Sequence, residues 1–225
     1  MIIAIIPARS NSKRIKNKNI TLLNGKPLIN YTIDASLSCK SVSKTIISTD
    51  NPEIIESLKV ENIDIYKRPA SLAQDETTLM PVIKDVLDST KNINSFDYFV
   101  LLQPTSPIRT SKHIQEAINF IIHENADSLI SVVKVEKNPL KAFMIDKKGI
   151  LHGVVNNSYP FASAQFLPKC YYPNVAIYIK RISTFLKDNS FIDKTTIPYL
   201  MDAKDSIDID TYSDLKLAEK ILNNS

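Results

Sequence analysis

Glycine is scarce in this chain, with three in 225 residues and none before Gly25. That excludes the Gly-rich backbone cradle of a Walker A loop or a Rossmann first turn, so phosphates near the first strand would be met mostly by side chains. Cysteine is as sparse. Cys39 and Cys170 lie far apart without C-x-x-C spacing, so two free thiols are the default expectation. No apolar run reaches membrane-spanning length, and no internal repeat or low-complexity tract is present. The opening apolar stretch lacks the charged flank and cleavage site of a signal peptide, so a cytoplasmic location is expected. Acidic residues are also missing early, the first being Asp34.

What is there begins with Ile2-Ile3-Ala4-Ile5-Ile6, a short β-branched run that stops at Pro7 and reads as a buried strand. The loop after it carries Arg9, Lys13, Arg14, Lys16 and Lys18 within ten residues. A basic loop leaving the first strand of an α/β protein sits beyond the strand's carboxyl end, where a nucleotide's phosphates bind. Arg9 offers a planar fork for bidentate contacts, while Lys13 and Lys18 act as mobile point charges, a set that suits a triphosphate. The net charge of +4 is mild, because an acidic C-terminal stretch with Asp202, Asp205, Asp208, Asp210 and Asp214 offsets the loop. Basic residues interleaved with aromatics, the mark of a general nucleic-acid binder, do not appear after the loop. At 44% hydrophobic and 23% charged residues, the composition is that of an ordinary globular α/β protein, read here as a single domain over 1–225.

Strand and helix signals alternate along the chain. Pro27 to Ser38 reads as a helix, Thr45 to Thr49 as a strand, Asn51-Pro52 as the start of a helix carrying Ile54, Ile55 and Leu58, and Ile63 to Tyr66 as a strand. Thr78 is placed to cap a helix through Val82, Ile83, Val86 and Leu87, and Asp97 to Leu102 is a central apolar strand. Thr110 or Ser111 caps a helix whose stripe of Ile114, Ala117, Ile118, Ile121 and Ile122 is expected in the core, with a strand over Asp127 to Val135 beyond it. This pattern predicts a three-layer, mostly parallel twisted sheet with helices on both faces. Over 136–172 the alternation lapses into a hairpin around Lys147-Lys148-Gly149 and a loop rich in aromatics, apolar enough to need a covering partner. His152, among neutral neighbours, reads as structural or exposed. Near the C-terminus, extended backbone over Asp205 to Thr211 would turn Asp208 and Asp210 to one side and Ile207 and Ile209 to the other. Paired carboxylates suit Mg²⁺ or Mn²⁺, and Asp210 or Thr211 is equally placed to cap the final helix from Tyr212 to Asn223.

Pro7-Ala8-Arg9-Ser10-Asn11-Ser12-Lys13, followed by Lys18-Asn19 and by Gly25-Lys26-Pro27-Leu28-Ile29, resembles the opening of the CMP-sialic acid synthetases (acylneuraminate cytidylyltransferases), a family with legionaminic and pseudaminic acid branches. Three further motifs carry the likeness: Arg68-Pro69-Ala70-Ser71-Leu72-Ala73-Gln74-Asp75, Gln103-Pro104-Thr105-Ser106-Pro107-Ile108-Arg109, and Ser206-Ile207-Asp208-Ile209-Asp210-Thr211. The resemblance implies a Rossmann-like nucleotidyltransferase fold in which 136–172 forms a dimerisation extension. It implies CTP contacts from Ala8, Arg9, Asn11, Ser12, Lys13, Lys18, Asn19, Arg68 and Asp75, and metal ligation by Asp208 and Asp210. Arg9, Lys13, Lys18, Asp208 and Asp210 then carry the chemistry. On the sugar side it implies Gln103 and, through Pro139-Leu140-Lys141, Lys141. Arg109 either contacts substrate or is an orienting ion-pair partner, and Arg14, where many members place glycine, adds to the phosphate site or faces solvent.

The likeness weakens where the family places R-Q before L-P and a basic residue before P-N-G-A-I-Y. Here Ala164-Gln165 and Tyr172-Pro173-Asn174-Val175 stand instead, which leaves Gln165, Asn174 and Tyr178 as sugar-side candidates. The implied activity is transfer of CMP from CTP to a nine-carbon α-keto acid sugar of the sialic or legionaminic type, by a cytoplasmic homodimer that binds neither nucleic acid nor membrane. Lys13 to Asn19 also looks like pseudaminic acid cytidylyltransferases, and octulosonate cytidylyltransferases share the fold, so the same reaction on those sugars is the alternative. A non-catalytic nucleotide- or RNA-binding module is a third reading, disfavoured by the paired aspartates.

Overall fold

The computed structural model describes residues 1–10, 12–57 and 63–224, so the predicted contact of Asn11 and the helical position of Leu58 lie outside the described residues. In chain order the strands are β1 (Ile2–Pro7), β2 (Leu22–Leu23), β3 (Lys26–Pro27), β4 (Val42–Thr49), β5 (Ile63–Lys67), β6 (Tyr98–Leu101), β7 (Ser128–Lys134), β8 (Phe143–Ile145), β9 (Leu151–Gly153), β10 (Tyr171–Arg181) and β11 (Thr196–Leu200). The α-helices are α1 (Leu28–Leu37), α2 (Pro52–Ser57), α3 (Leu79–Ser89), α4 (Ser111–His123), α5 (Ile182–Asp188) and α6 (Tyr212–Asn223). Seven strands form one sheet in the order β11-β7-β10-β6-β1-β4-β5. All are parallel except β10, which runs antiparallel to both its neighbours. The fold is the mostly parallel sheet with helices on both faces that the alternation predicts, and it is Rossmann-like as the resemblance implies.

The side-chain period of two explains the layers. On β1, Ile2, Ala4 and Ile6 join a core with Ile29 and Ile33 of α1 and Ile114, Ala117, Ile118 and Ile121 of α4. Ile3 and Ile5 point the other way, onto Ile83, Val86 and Leu87 of α3 and Ile182 and Phe185 of α5. A strand buried on both faces must be apolar throughout, as β1 and β6 are. A third cluster bears on function. Ile15 of the basic loop, Leu23, Leu28, Ile108, Ile209 and the α6 residues Leu215 and Ala218 pack together, which fastens the basic loop to the aspartate-bearing segment.

Local chemistry sets several boundaries. Asn24 and Gly25, both at positive φ (48° and 77°), make the two-residue turn between β2 and β3, a conformation Asn-Gly adopts readily. Pro27 ends β3 and stands at the N-cap of α1 rather than inside the helix. Thr110, not Ser111, caps α4, in a reciprocal box with His113, and Thr211 caps α6 in the same way with Asp214. Thr78 occupies the N-cap of α3 without a side-chain hydrogen bond, so the expected cap there is positional only. Ile122, expected in the core, is 54% exposed because it lies at the edge of its helix stripe. The hairpin forms as β8 and β9, shorter than expected, with Met144 opposite His152, which is exposed. The stretch from Tyr171 to Leu200 carries no sequence prediction of elements, yet it supplies β10, α5 and β11.

Candidate active site

Beyond the carboxyl ends of β1, β4, β5 and β6 lies a cleft of about 570 Å³. This is where ligands collect in an open α/β sheet. Its wall holds five cationic side chains (Arg9, Lys13, Arg14, Lys18 and Arg68) against two carboxylates, Asp75 and Asp210. Ser12, Asn19, Gln103, Pro104 and Thr105 complete the polar lining, and Thr77, Thr78, Leu79 and Val82 close one side.

The basic loop is held open by its neighbours. Ala8 is fully buried and donates its N–H to Ser48 O at 2.9 Å, which continues the β1 to β4 pairing past the strand end. Ser10 is tied to Asp50 through its N–H (2.8 Å) and its hydroxyl (2.6 Å). Asn19, buried, donates to Arg9 O at 2.9 Å and closes the loop on itself without glycine. These anchors leave the cationic ends turned into the cleft. Arg9 Nη1 meets Asp75 Oδ1 at 2.9 Å and Lys13 Nζ meets Asp75 Oδ2 at 3.1 Å. The Lys13 hydrogen bond, with the charges of Lys13 and Arg9, holds the exposed Asp75 carboxyl below its ordinary range. Arg68 is 6% exposed, its guanidinium fixed by Ser48 O at 2.8 Å and Ser48 Oγ at 3.2 Å, and burial lowers its pKa. It is a rigid positive wall rather than a mobile arm.

The aspartates come from the segment before α6. Ile209 is fully buried and its N–H donates to Thr105 O at 2.8 Å, so this segment is hydrogen-bonded to the loop after β6. Asp210 lines the cleft, with Oδ2 on Arg14 Nη1 at 2.6 Å and Oδ1 on Lys18 Nζ at 3.1 Å. Lys18 also donates to Ile209 O at 2.8 Å. Asp208 sits deeper. Burial raises its pKa and the nearby charge of Asp210 adds to the rise, against a hydrogen bond from Thr105. Its Oδ1 is buried without a hydrogen-bond partner among the described residues. A desolvated carboxylate oxygen left unpaired is costly unless something cationic meets it, so this pair of hard oxygens fits a divalent cation that takes its other ligands from phosphate and water. No group of three or more His, Cys, Asp or Glu side chains gathered for a metal occurs among the described residues.

The candidate residues fall into two groups. Ala8, Arg9, Ser12, Lys13, Lys18, Asn19, Arg68, Asp75, Gln103 and Asp210 lie at or just behind the cleft, and Asp208 adjoins it beside Thr105. None of the other sugar-side candidates lines the cleft, though Tyr178 stands near its edge, where burial raises the phenol's pKa and the charge of Asp208 adds to the rise. Lys141 ends a short 3₁₀ turn in the 136–172 region, and Gln165 is exposed in another. Asn174 is buried and its amide is fully engaged, accepting from Ser131 Oγ at 2.6 Å and donating to Ser206 Oγ at 2.9 Å. Tyr178 pairs with Leu101 and Ile130 and packs on Phe191 at 5.2 Å between ring centroids. Arg109 takes neither of its expected roles. It is 2% exposed, donates to the carbonyls of Gln103 (3.2 Å) and Ala176 (2.9 Å) and to Thr32 Oγ1, and burial pulls its pKa down to about 9. It is a structural brace between β10 and the loop after β6.

Sequence reasoning did not single out Ser48, Asp50 or Thr105. The last lies inside the Gln103 to Arg109 motif, where position alone marks it, while Ser48, near the end of β4, and Asp50, just after it, carry no local signal. Val175, where the resembled family has glycine, stands at φ 55°. A β-branched residue there is strained, and it sits in the irregular stretch of the β10 to β7 pairing between Pro173 and Tyr178.

Comparison with known proteins fits this geometry. The chain is 35% identical over 214 residues to the N-acylneuraminate cytidylyltransferase of Streptococcus agalactiae serotype V, covering 94% of this chain and 51% of that protein. The chain thus spans about half the length of the first such relatives. It is 33% identical to the CMP-N,N'-diacetyllegionaminic acid synthase of Legionella pneumophila, covering 98% of this chain and 96% of that one. In three dimensions it superposes on a CMP:2-keto-3-deoxy-manno-octonic acid synthetase solved with CTP at a TM-score of 0.72, covering 99% and 98% of the two chains. At 13% identity that is a likeness of fold. The sequence pattern described as "Cytidylyltransferase" matches residues 3–223, and with the basic loop and the aspartate pair both inside that span, the chain belongs to the cytidylyltransferase family.

Proposed function

We propose that this chain transfers CMP from CTP to the anomeric 2-hydroxyl of a nine-carbon α-keto acid sugar of the sialic or legionaminic type, releasing pyrophosphate. The observation that carries the reading is the convergence of five cationic side chains and the carboxylates of Asp75 and Asp210 on one cleft at the carboxyl ends of the parallel strands. The names of the relatives support the acceptor class. Acidic residues interleaved with the cations weigh against an RNA-binding surface, which gains nothing from carboxylates.

In this reading the hydroxyl oxygen forms a bond to the α-phosphorus as the bond to the bridging α–β oxygen breaks, and the hydroxyl proton leaves to solvent. The chain's work is positioning and charge neutralisation. Arg9, Lys13 and Lys18 hold the triphosphate and then the departing pyrophosphate, and Arg68 supplies fixed positive potential. Ala8, Ser12 and Asn19 shape the loop around it, and Gln103 faces the cleft near the sugar. Asp208 and Asp210 would hold Mg²⁺ or Mn²⁺, which when bound supplies Lewis-acid polarisation of a phosphoryl oxygen. Lys141 and Gln165 act toward the sugar from the 136–172 extension and Tyr178 from β10 near Asp208, while Asn174, its amide bonded to Ser131 and Ser206, acts by bracing β10 against the aspartate segment. Apolar exposure there, including Phe161 at 82% and Phe166 at 78%, supports a second copy as cover, so the acting species is a homodimer.

The test is pyrophosphate release with CTP and Mg²⁺ against N-acetylneuraminic, legionaminic, pseudaminic and octulosonic acids. Release with the sialic or legionaminic acceptor, cut at least 100-fold by Asp210→Ala, is expected. Preference for pseudaminic or octulosonic acid would move the acceptor, and release with none would sink the reading. For the dimer, sedimentation of Phe161→Asp should show a shift to monomer; wild type already monomeric at micromolar concentration would overturn it.

A further inference from the structure

Asp210 has both carboxylate oxygens engaged, yet its two cationic partners are held very differently. Lys18 has a side chain 15% exposed and a second tether to Ile209 O at 2.8 Å, so it is fixed in place. Arg14 has a side chain 65% exposed and, among the described residues, hydrogen-bonds only to Asp210 Oδ2, at 2.6 Å. Its position is nevertheless enforced, because the next residue, Ile15, is 1% exposed in the cluster that also buries Ile209. Arg14 also lines the cleft together with Arg9, Lys13 and Lys18. One fork therefore stands within reach of both a candidate metal ligand and the phosphate-binding surface.

We propose that Arg14 is a positioning residue that moves between Asp210 and the nucleotide's phosphates, so that triphosphate binding and divalent-cation binding assist each other. A triphosphate draws the guanidinium off Asp210 Oδ2 and frees that oxygen for the cation. A cation on Asp210 in turn releases the fork for phosphate. An exposed ion pair is weak enough to exchange in this way, whereas the tethered Lys18 stays with Asp210 throughout. The inference rests on the nucleotide reading above, and it concerns a side chain that stands where many relatives of the resembled family place glycine.

The experiment has two arms, each with wild type, Arg14→Gln and Arg14→Lys. In the first, Mn²⁺ binding to the protein without nucleotide is followed by the loss of free-ion EPR signal. Arg14→Gln should bind Mn²⁺ about three-fold more tightly, the scale set by one exposed ion pair, and Arg14→Lys should return toward wild type. Equal binding by wild type and Arg14→Gln, including none in either, overturns the proposal. In the second, CTP binding is measured by calorimetry in EDTA. Arg14→Gln should weaken it about three-fold or more, and an unchanged affinity overturns the phosphate half. If wild type binds no CTP the nucleotide reading itself fails, and the nucleotide-free Mn²⁺ arm separates that failure from failure of the Arg14 and Asp210 competition.

Discussion

Asp208 shows how a single side chain carries a conflict between stability and use. Its carboxylate is mostly buried, one oxygen lacks a partner among the described residues, and Asp210 lies close enough to raise its pKa further. Such a group destabilises the fold by itself and is retained for what it can bind. Asp208→Asn is expected to raise stability by about 1 kcal/mol, because a neutral amide escapes most of the desolvation cost. The same change should abolish pyrophosphate release. Urea unfolding beside the activity assay checks both, and a variant less stable than wild type would show that the carboxylate is already compensated. Arg109 is the opposite case. Sequence left it between substrate contact and ion pair, and its burial against two carbonyls makes it neither, which no neighbouring residue could have announced.

At the scale of elements, the decisive contact is that between the basic loop and the segment before α6. Neither is a strand or a long helix, and neither buries much alone. Ile15 and Ile209 bring them together in one cluster, and the Ile209 N–H bond to Thr105 O adds the loop after β6. Ile209→Ala should therefore cost about 2–4 kcal/mol, in the range for emptying a buried isoleucine site. It should also weaken CTP binding although Ile209 does not line the cleft. Thermal melts and nucleotide titration test this; lost stability with unchanged affinity would separate the cluster from the site. The alternation along β1 and β6 was legible in sequence because period-two burial needs only local order. The region from Tyr171 to Leu200 was not, because β10 is antiparallel, interrupted at Val175 and defined by its two neighbours.

For the molecule as a whole, the far end of the sheet holds a buried charge cluster that is expected to contribute to acid stability. Lys180 is fully buried on β10, with Asp193 at 2.5 Å and Asp188 at 3.0 Å. Burial opposes ionisation of Asp193, but hydrogen bonds from Lys180 and Thr195 outweigh it and bring the carboxyl down to about 2. A carboxyl depressed in the folded state contributes stability that is present above its unfolded pKa and lost as pH falls through the folded one. The window runs from about pH 4 down to about pH 2, with about 2 kcal/mol at stake after allowing for partial exposure. Urea unfolding at pH 6 and pH 3 should show a larger loss in wild type than in Asp193→Asn, and equal losses would remove this pair as the cause.

What the amino-acid sequence determined by itself was whatever depends on short-range order. The apolar alternation dictated a parallel sheet, and the glycine-free basic loop and the spacing of Asp208 and Asp210 raised the expectations of side-chain phosphate capture and of a cation site. Tertiary structure alone decided which cations meet which carboxylates, that Arg68 is a fixed wall while Arg14 is exposed, and that Asn174 and Arg109 brace the fold. The physical reason is that burial and pairing depend on groups brought together from as far apart as Arg14 and Asp210, and a residue's own neighbours in the chain do not carry that information.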